Sequence, residues 1–96
     1  ETDSNNTGVG YLAGAFVSTG VANTFVGSLS GYGSSSSNLT GNSNTCLGYN
    51  SGFSLQGVAN DNTLLGSNAG KVLTTGADNT IVGNTACDTT LTNGSG

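Results

Sequence analysis

Two adjacent apolar residues recur at a fixed place in a chain that is otherwise polar and rich in glycine. They are Phe25-Val26, Cys46-Leu47, Leu64-Leu65 and Ile81-Val82, with Gly8-Val9 in the first instance. Each pair follows Asn-Thr and precedes Gly. The full frame is Asn-Thr, a variable residue, Val or Leu, Gly, two free positions, Ala or Ser, then Gly. It reads NTGVGYLAG from Asn6, NTFVGSLSG from Asn23, NTCLGYNSG from Asn44, NTLLGSNAG from Asn62 and NTIVGNTAC from Asn79. Successive Asn-Thr pairs lie 17, 21, 18 and 17 residues apart. A period this short gives one unit per coil of a solenoid and is too short for a helical-hairpin repeat. The pattern predicts an all-β chain, a parallel β-solenoid (β-roll or β-helix) of about five coils of 17–21 residues. It forms a single repeat domain over 1–96, with units near 6–22, 23–43, 44–61, 62–78 and 79–96.

The frame also predicts the parts of a coil. A first strand starts at Thr7, Thr24, Thr45, Thr63 and Thr80. Asn and Gly tolerate positive φ best, so Asn6, Asn23, Asn44, Asn62 and Asn79 and Gly10, Gly27, Gly48, Gly66 and Gly83 would bracket that strand with tight corners. Small residues at Ala13, Ser30, Ser51, Ala69 and Ala86 would let the backbone approach an opposite wall or another chain. AFVSTG from Ala15, FSLQG from Phe53 and KVLTTG from Lys71 suggest a second strand and turn, with Val17, Leu55 and Leu73 stacked inside. Gly8 occupies the variable position, so the first coil should be the least well packed. The extra length of the second unit lies in Gly33–Asn38, a GSSSSN run that should loop out of the stack.

The doubled apolar pair is the most informative feature. Neighbours in a strand point to opposite faces. One column of Phe25, Cys46, Leu64 and Ile81 or of Val26, Leu47, Leu65 and Val82 fills the coil. The other is left exposed unless a second surface covers it. A coil of about 17 residues has little room for a core, and oligomerisation would stabilise it. The competing arrangement is a twisted segment with both residues turned inward. Neither end carries an obvious polar cap, so the solenoid either continues or stacks end to end on copies of itself.

Composition changes the picture in two ways. Asn, Thr and Ser make up 40 of the 96 residues, and charged residues only 6%. A repeated charge would face itself about 4.8 Å away in the stack, whereas neutral amides and hydroxyls can form ladders. With net charge −4 and polar positions in phase, the chain does not read as disordered. One Lys and no Arg argue against nucleic-acid binding. No apolar run is long enough for a membrane span, and no signal-peptide pattern is present.

The five in-phase motifs resemble the head repeats of YadA-like trimeric autotransporter adhesins. They resemble still more closely the Asn-Thr-x-x-Gly arrays of phage-type tail-fibre proteins that carry an intramolecular chaperone. The resemblance spans Asn6 to Asn93. It implies a β-roll or β-helix that trimerises with its strands perpendicular to a fibre axis, and a structural role for the positions matching Val26, Leu47, Leu65 and Val82. The adhesin heads use a shorter unit with Ser in place of this Thr.

The chemistry is sparse. Without His, no Ser-His or Cys-His pair exists, and no enzymatic role is expected. No cofactor is called for. Asp61 and Asp78 share the position before the motif Asn, either as solvated turn residues or as a Ca²⁺ site with Asn oxygens. Lys71 and Asp88 should be stacked neighbours on the surface. Cys46 and Cys87 sit at different repeat positions two coils apart, too far for an intrachain disulfide, while pairing between chains stays open. Asn5, Asn38 and Asn93 begin N-x-S/T sequons, and Asn38 in the looped-out run is the accessible glycosylation candidate. These features lead to a structural repeat module of an extracellular or virion fibre: an adhesin head, a tail-fibre shaft or an end-to-end stacking filament. Its partners would be copies of itself as a homotrimer, and a surface receptor or glycan, with no nucleic acid and no membrane insertion. Its place would be extracellular, at a cell surface or on a virion. The alternative is an ice-binding solenoid that uses the column of Thr7, Thr24, Thr45, Thr63 and Thr80.

Overall fold

The computed structural model describes residues 5–87. Five three-residue strands, Thr7–Val9 (β1), Thr24–Val26 (β2), Thr45–Leu47 (β3), Thr63–Leu65 (β4) and Thr80–Val82 (β5), form one parallel sheet in sequence order. The register is that of the motif: Thr63 pairs with Thr80, Leu64 with Ile81 and Leu65 with Val82, and the other three pairings repeat it. Consecutive parallel strands joined by one unit each make a β-solenoid of about four turns between β1 and β5. No helix occurs among the described residues.

The apolar pair divides between the two faces of the sheet, and both residues do not turn inward. Phe25, Cys46, Leu64 and Ile81 are buried; of their neighbours Leu47, Leu65 and Val82 are exposed and Val26 is half-buried, and Val9 of the first strand is exposed. The interior is completed from the return leg of the coil by Leu39, Leu55 and Leu73, all buried, and by the edge contact of Val17. Leu39 forms parallel bridges to Val17 and Gly57. The chain reaches it through the polar Gly33–Asn38 run, whose Ser34 and Ser36 hydroxyls bond each other at 3.0 Å. The extra residues of the second unit are thus absorbed before Leu39, and the core column continues through it.

The corners differ from the expected arrangement in one respect. Gly10, Gly27, Gly48, Gly66 and Gly83 do turn with φ between 128° and 134°. The motif Asn residues do not. Positive φ falls one residue earlier, on Asn5, Ala22, Ser43, Asp61 and Asp78, at 55–61°. The reason is in the side chain: the motif Asn turns its amide into the interior, and the preceding residue makes the bend. Glycine at the far end of the strand is required twice over. A Cβ on Gly48 would lie 2.6 Å from the Gly66 carbonyl oxygen, so coils this close leave no room for a side chain there.

Polar burial is handled by a ladder. Asn23, Asn44 and Asn62 have no exposed surface. The Asn44 Nδ2 donates to Asn23 Oδ1 (2.9 Å) and to the Ala59 carbonyl (2.8 Å). Its Oδ1 accepts from Asn62 N (3.2 Å) and Asn62 Nδ2 (2.9 Å). Asn62 repeats the pattern with the Gly76 carbonyl and with Asn79. Asn44 and Asn62 therefore fill their two donor and two acceptor positions, which removes the cost of burying them. Ser30 and Ser51 add a second column: their hydroxyls donate to the carbonyls of Cys46 (2.9 Å) and Leu64 (3.1 Å), each on the next coil.

The first coil is the loosest. With Gly8 in place of a large side chain, a recess of about 340 Å³ lies beside Phe25, lined also by Ala13, Gly14 and Val17.

Candidate interaction face

The outward face of the sheet is a two-column array. The alternation that buries Phe25, Cys46, Leu64 and Ile81 necessarily turns residues one position to either side outward. One column is Thr7, Thr24, Thr45, Thr63 and Thr80. The other is Val9, Val26, Leu47, Leu65 and Val82. Successive rungs are separated by the parallel-strand spacing of about 4.8 Å. Val9 is 57% exposed and Val82 62%, with Leu47 and Leu65 between them at 45% and 42%. Tyr11 and Tyr49, directly after the glycine corner, are also exposed.

The threonine hydroxyls are uncommitted. Elsewhere, Thr40 and Ser18 donate to backbone carbonyls, as do the buried serines. None of the five strand threonines makes a side-chain hydrogen bond to a described residue, and the face carries no charged side chain. Unbonded hydroxyls and methyl-bearing side chains therefore stand side by side on a neutral, periodic surface.

The other candidate residues are not gathered into a site. Asp61 and Asp78 are exposed, with their backbone N–H groups donating to Asn42 and Asn60 carbonyls. No group of three metal-ligating side chains occurs among the described residues. Cys46 is buried and Cys87 half-buried, and no disulfide joins them. Burial pushes the Cys46 thiol pKa far up, a hydrogen bond with Ser51 offsetting it in part. Cys87 occupies the last motif position at φ 60°, the conformation that glycine holds in the other coils. Lys71 is exposed; its expected neighbour Asp88, and the sequon at Asn93, lie outside the described residues. Asn38 is exposed.

Two features are not evident from the motif. An outer ladder runs from Val21 N to Asn42 Oδ1 (2.9 Å) and from Asn42 N to Asn60 Oδ1 (2.8 Å). Its signal was Asn two positions before the motif in units three and four. In addition, Asn50 donates to Asn68 Oδ1 at 3.2 Å, but its own Oδ1 is buried without a partner. That corner position is Leu29 on the preceding coil, where an amide would have continued the ladder.

No helix among the described residues is long and apolar enough to cross a membrane. No protein-family model, no curated protein and no solved structure matches this chain.

Proposed function

We propose that the chain is a structural repeat module of an extracellular or virion fibre, running along the axis on which its coils stack. In this reading three copies associate side by side through the Val9, Val26, Leu47, Leu65 and Val82 column. The observation that carries it is the position of that column: five apolar side chains in one row, on the face opposite the buried Phe25, Cys46, Leu64 and Ile81. An exposed apolar strip of this kind is stabilised by a partner surface, and a small core gains from oligomerisation. The absence of charge on the face favours contact between identical surfaces, since like charges brought together would repel. Adhesin head, tail-fibre shaft and self-stacking filament all use a rod of this type. Mass in solution combined with electron micrographs tests the reading: trimeric rods or filaments support it, and a folded, globular monomer opposes it.

A second reading is favoured by the row of unbonded threonine hydroxyls. A regular array of hydroxyls and methyls suits ordered water, as on an ice surface. The two readings require the same face and exclude one another on a single chain. Thermal hysteresis from a monomer, abolished by Thr45→Tyr, would favour ice; a trimer without hysteresis would favour the fibre.

A further inference from the structure

We propose that Asn38 is an N-glycosylation site, and that its glycan stands on the return leg of the second coil, away from the Thr and Val/Leu face. The inference rests on the extracellular reading for access to a glycosylating compartment. The sequon is Asn38-Leu39-Thr40. Asn38 is exposed, and its amide makes no hydrogen bond to a described residue, whereas the motif amides and those of Asn42, Asn50, Asn60 and Asn68 are all engaged. Only its backbone is used, with the carbonyl accepting from Gly57 N at 3.1 Å. The residues before it, Gly33 and Ser34–Ser37, present nothing larger than a hydroxymethyl group, so a sugar has room. Leu39 then plants the chain in the core. Because its side chain points inward to the same interior that the sheet covers from the other side, Asn38 lies across the coil from the strand face. Asn5, the other described sequon, is placed differently. It sits at a φ 57° corner, directly before the Asn6 rung of the ladder and beside Thr7 of the strand face.

The step is transfer of an oligosaccharide from a lipid-linked pyrophosphate donor. The Asn38 Nδ2–C1 bond forms, the C1–O bond to pyrophosphate breaks, the pyrophosphate leaves with the bonding pair, and Nδ2 loses one proton. Thr40 supplies the hydroxyl that the transferase recognises. In the folded coil that hydroxyl donates to the Gly57 carbonyl at 3.0 Å, so modification precedes closure of this coil.

The test is the intact mass of the full chain secreted from a eukaryotic host, with and without amidase treatment. The wild type and Thr40→Ser are expected to carry one glycan more than Asn38→Gln or Thr40→Ala. A bare wild-type mass, or an Asn38→Gln glycan mass equal to that of the wild type, overturns the proposal. Circular dichroism of Asn38→Gln should match the wild type, because the amide has no structural partner. Sedimentation of the same samples reads the fibre proposal separately: an unmodified trimer would sink only the glycan, and a glycosylated monomer only the fibre.

Discussion

Asn44 presents two hydrogens, from its backbone N at 2.8 Å and its Nδ2 at 2.9 Å, to the same acceptor, Oδ1 of Asn23. This clamp recurs at Asn62 and Asn79 and fastens each coil to the one before it through backbone and side chain together. It is made entirely inside the protein, where no water competes for the bonds.

Removing one rung should therefore be costly. Asn44→Ala leaves the Asn23 oxygen with only the backbone N–H of residue 44 and strands the Ala59 carbonyl and two donors on Asn62, and the loss should be about 2–4 kcal/mol. Asn84→Ala, at an exposed position, should change stability by less than about 0.5 kcal/mol. Urea denaturation of the two variants checks the contrast. Equal effects would mean that the ladder does not hold the coils.

Leu29→Asn should stabilise the fold. Leu29 has φ 61°, which Asn adopts more readily than Leu. An Asn there would stand to Asn50 as Asn50 stands to Asn68, and would donate to the orphaned Asn50 Oδ1. The expected gain is about 0.5–2 kcal/mol, after the loss of a half-buried Leu contact. A lower denaturation midpoint would contradict the arrangement of this corner.

Gly48→Ala should be among the most damaging single-methyl additions. The new Cβ would meet the Gly66 carbonyl oxygen at 2.6 Å, and φ of 134° is unfavourable for any L side chain. A cost above about 3 kcal/mol is expected from separating two coils at their closest approach. Thermal melting measures it, and a wild-type Tm would refute the close stacking.

The two thiols should differ in reactivity. Cys46 is buried, with its pKa pushed up by desolvation, so a thiol reagent should modify Cys87 first and reach Cys46 only on unfolding. The sign for stability follows. The neutral thiol is favoured in the fold, so this contribution is complete below the unfolded pKa of 9.0 and is lost as pH rises above it. Replacing Cys46 with Ala should flatten that alkaline loss. Fast labelling of Cys46 in native protein would show the interior to be open.

Much of this fold was legible because its unit is short and in phase. Period gave the coil, and strand alternation put Leu64 and Leu65 on opposite faces as the favoured arrangement but left open which of them points inward. The division of labour at the corner was not legible. Asn62 and Asp61 are both residues that bend readily, and only the demand for a fully bonded interior amide assigns the bend to Asp61. The path from Tyr32 to Leu39 was legible as a loop but not in its closing residue, because the core position is filled by Leu39 and not by Ser34 at the corresponding offset. The face was half legible. Its columns follow from alternation, but the uncommitted state of the threonine hydroxyls is a matter of geometry. The orphaned Asn50 oxygen could not be foreseen, since it depends on which way two stacked amides turn.

The most direct measurement is sedimentation equilibrium at micromolar concentration on the wild type, Leu65→Asp and Ser67→Asp. The outward column is predicted to hold three copies together. Three carboxylates brought to one apolar seam would be desolvated and mutually repelled, at a cost of several kcal/mol. The wild type and Ser67→Asp should sediment as trimers, and Leu65→Asp as a folded monomer retaining its β circular dichroism. A folded wild-type monomer, or a trimer indifferent to Leu65→Asp, would contradict the account.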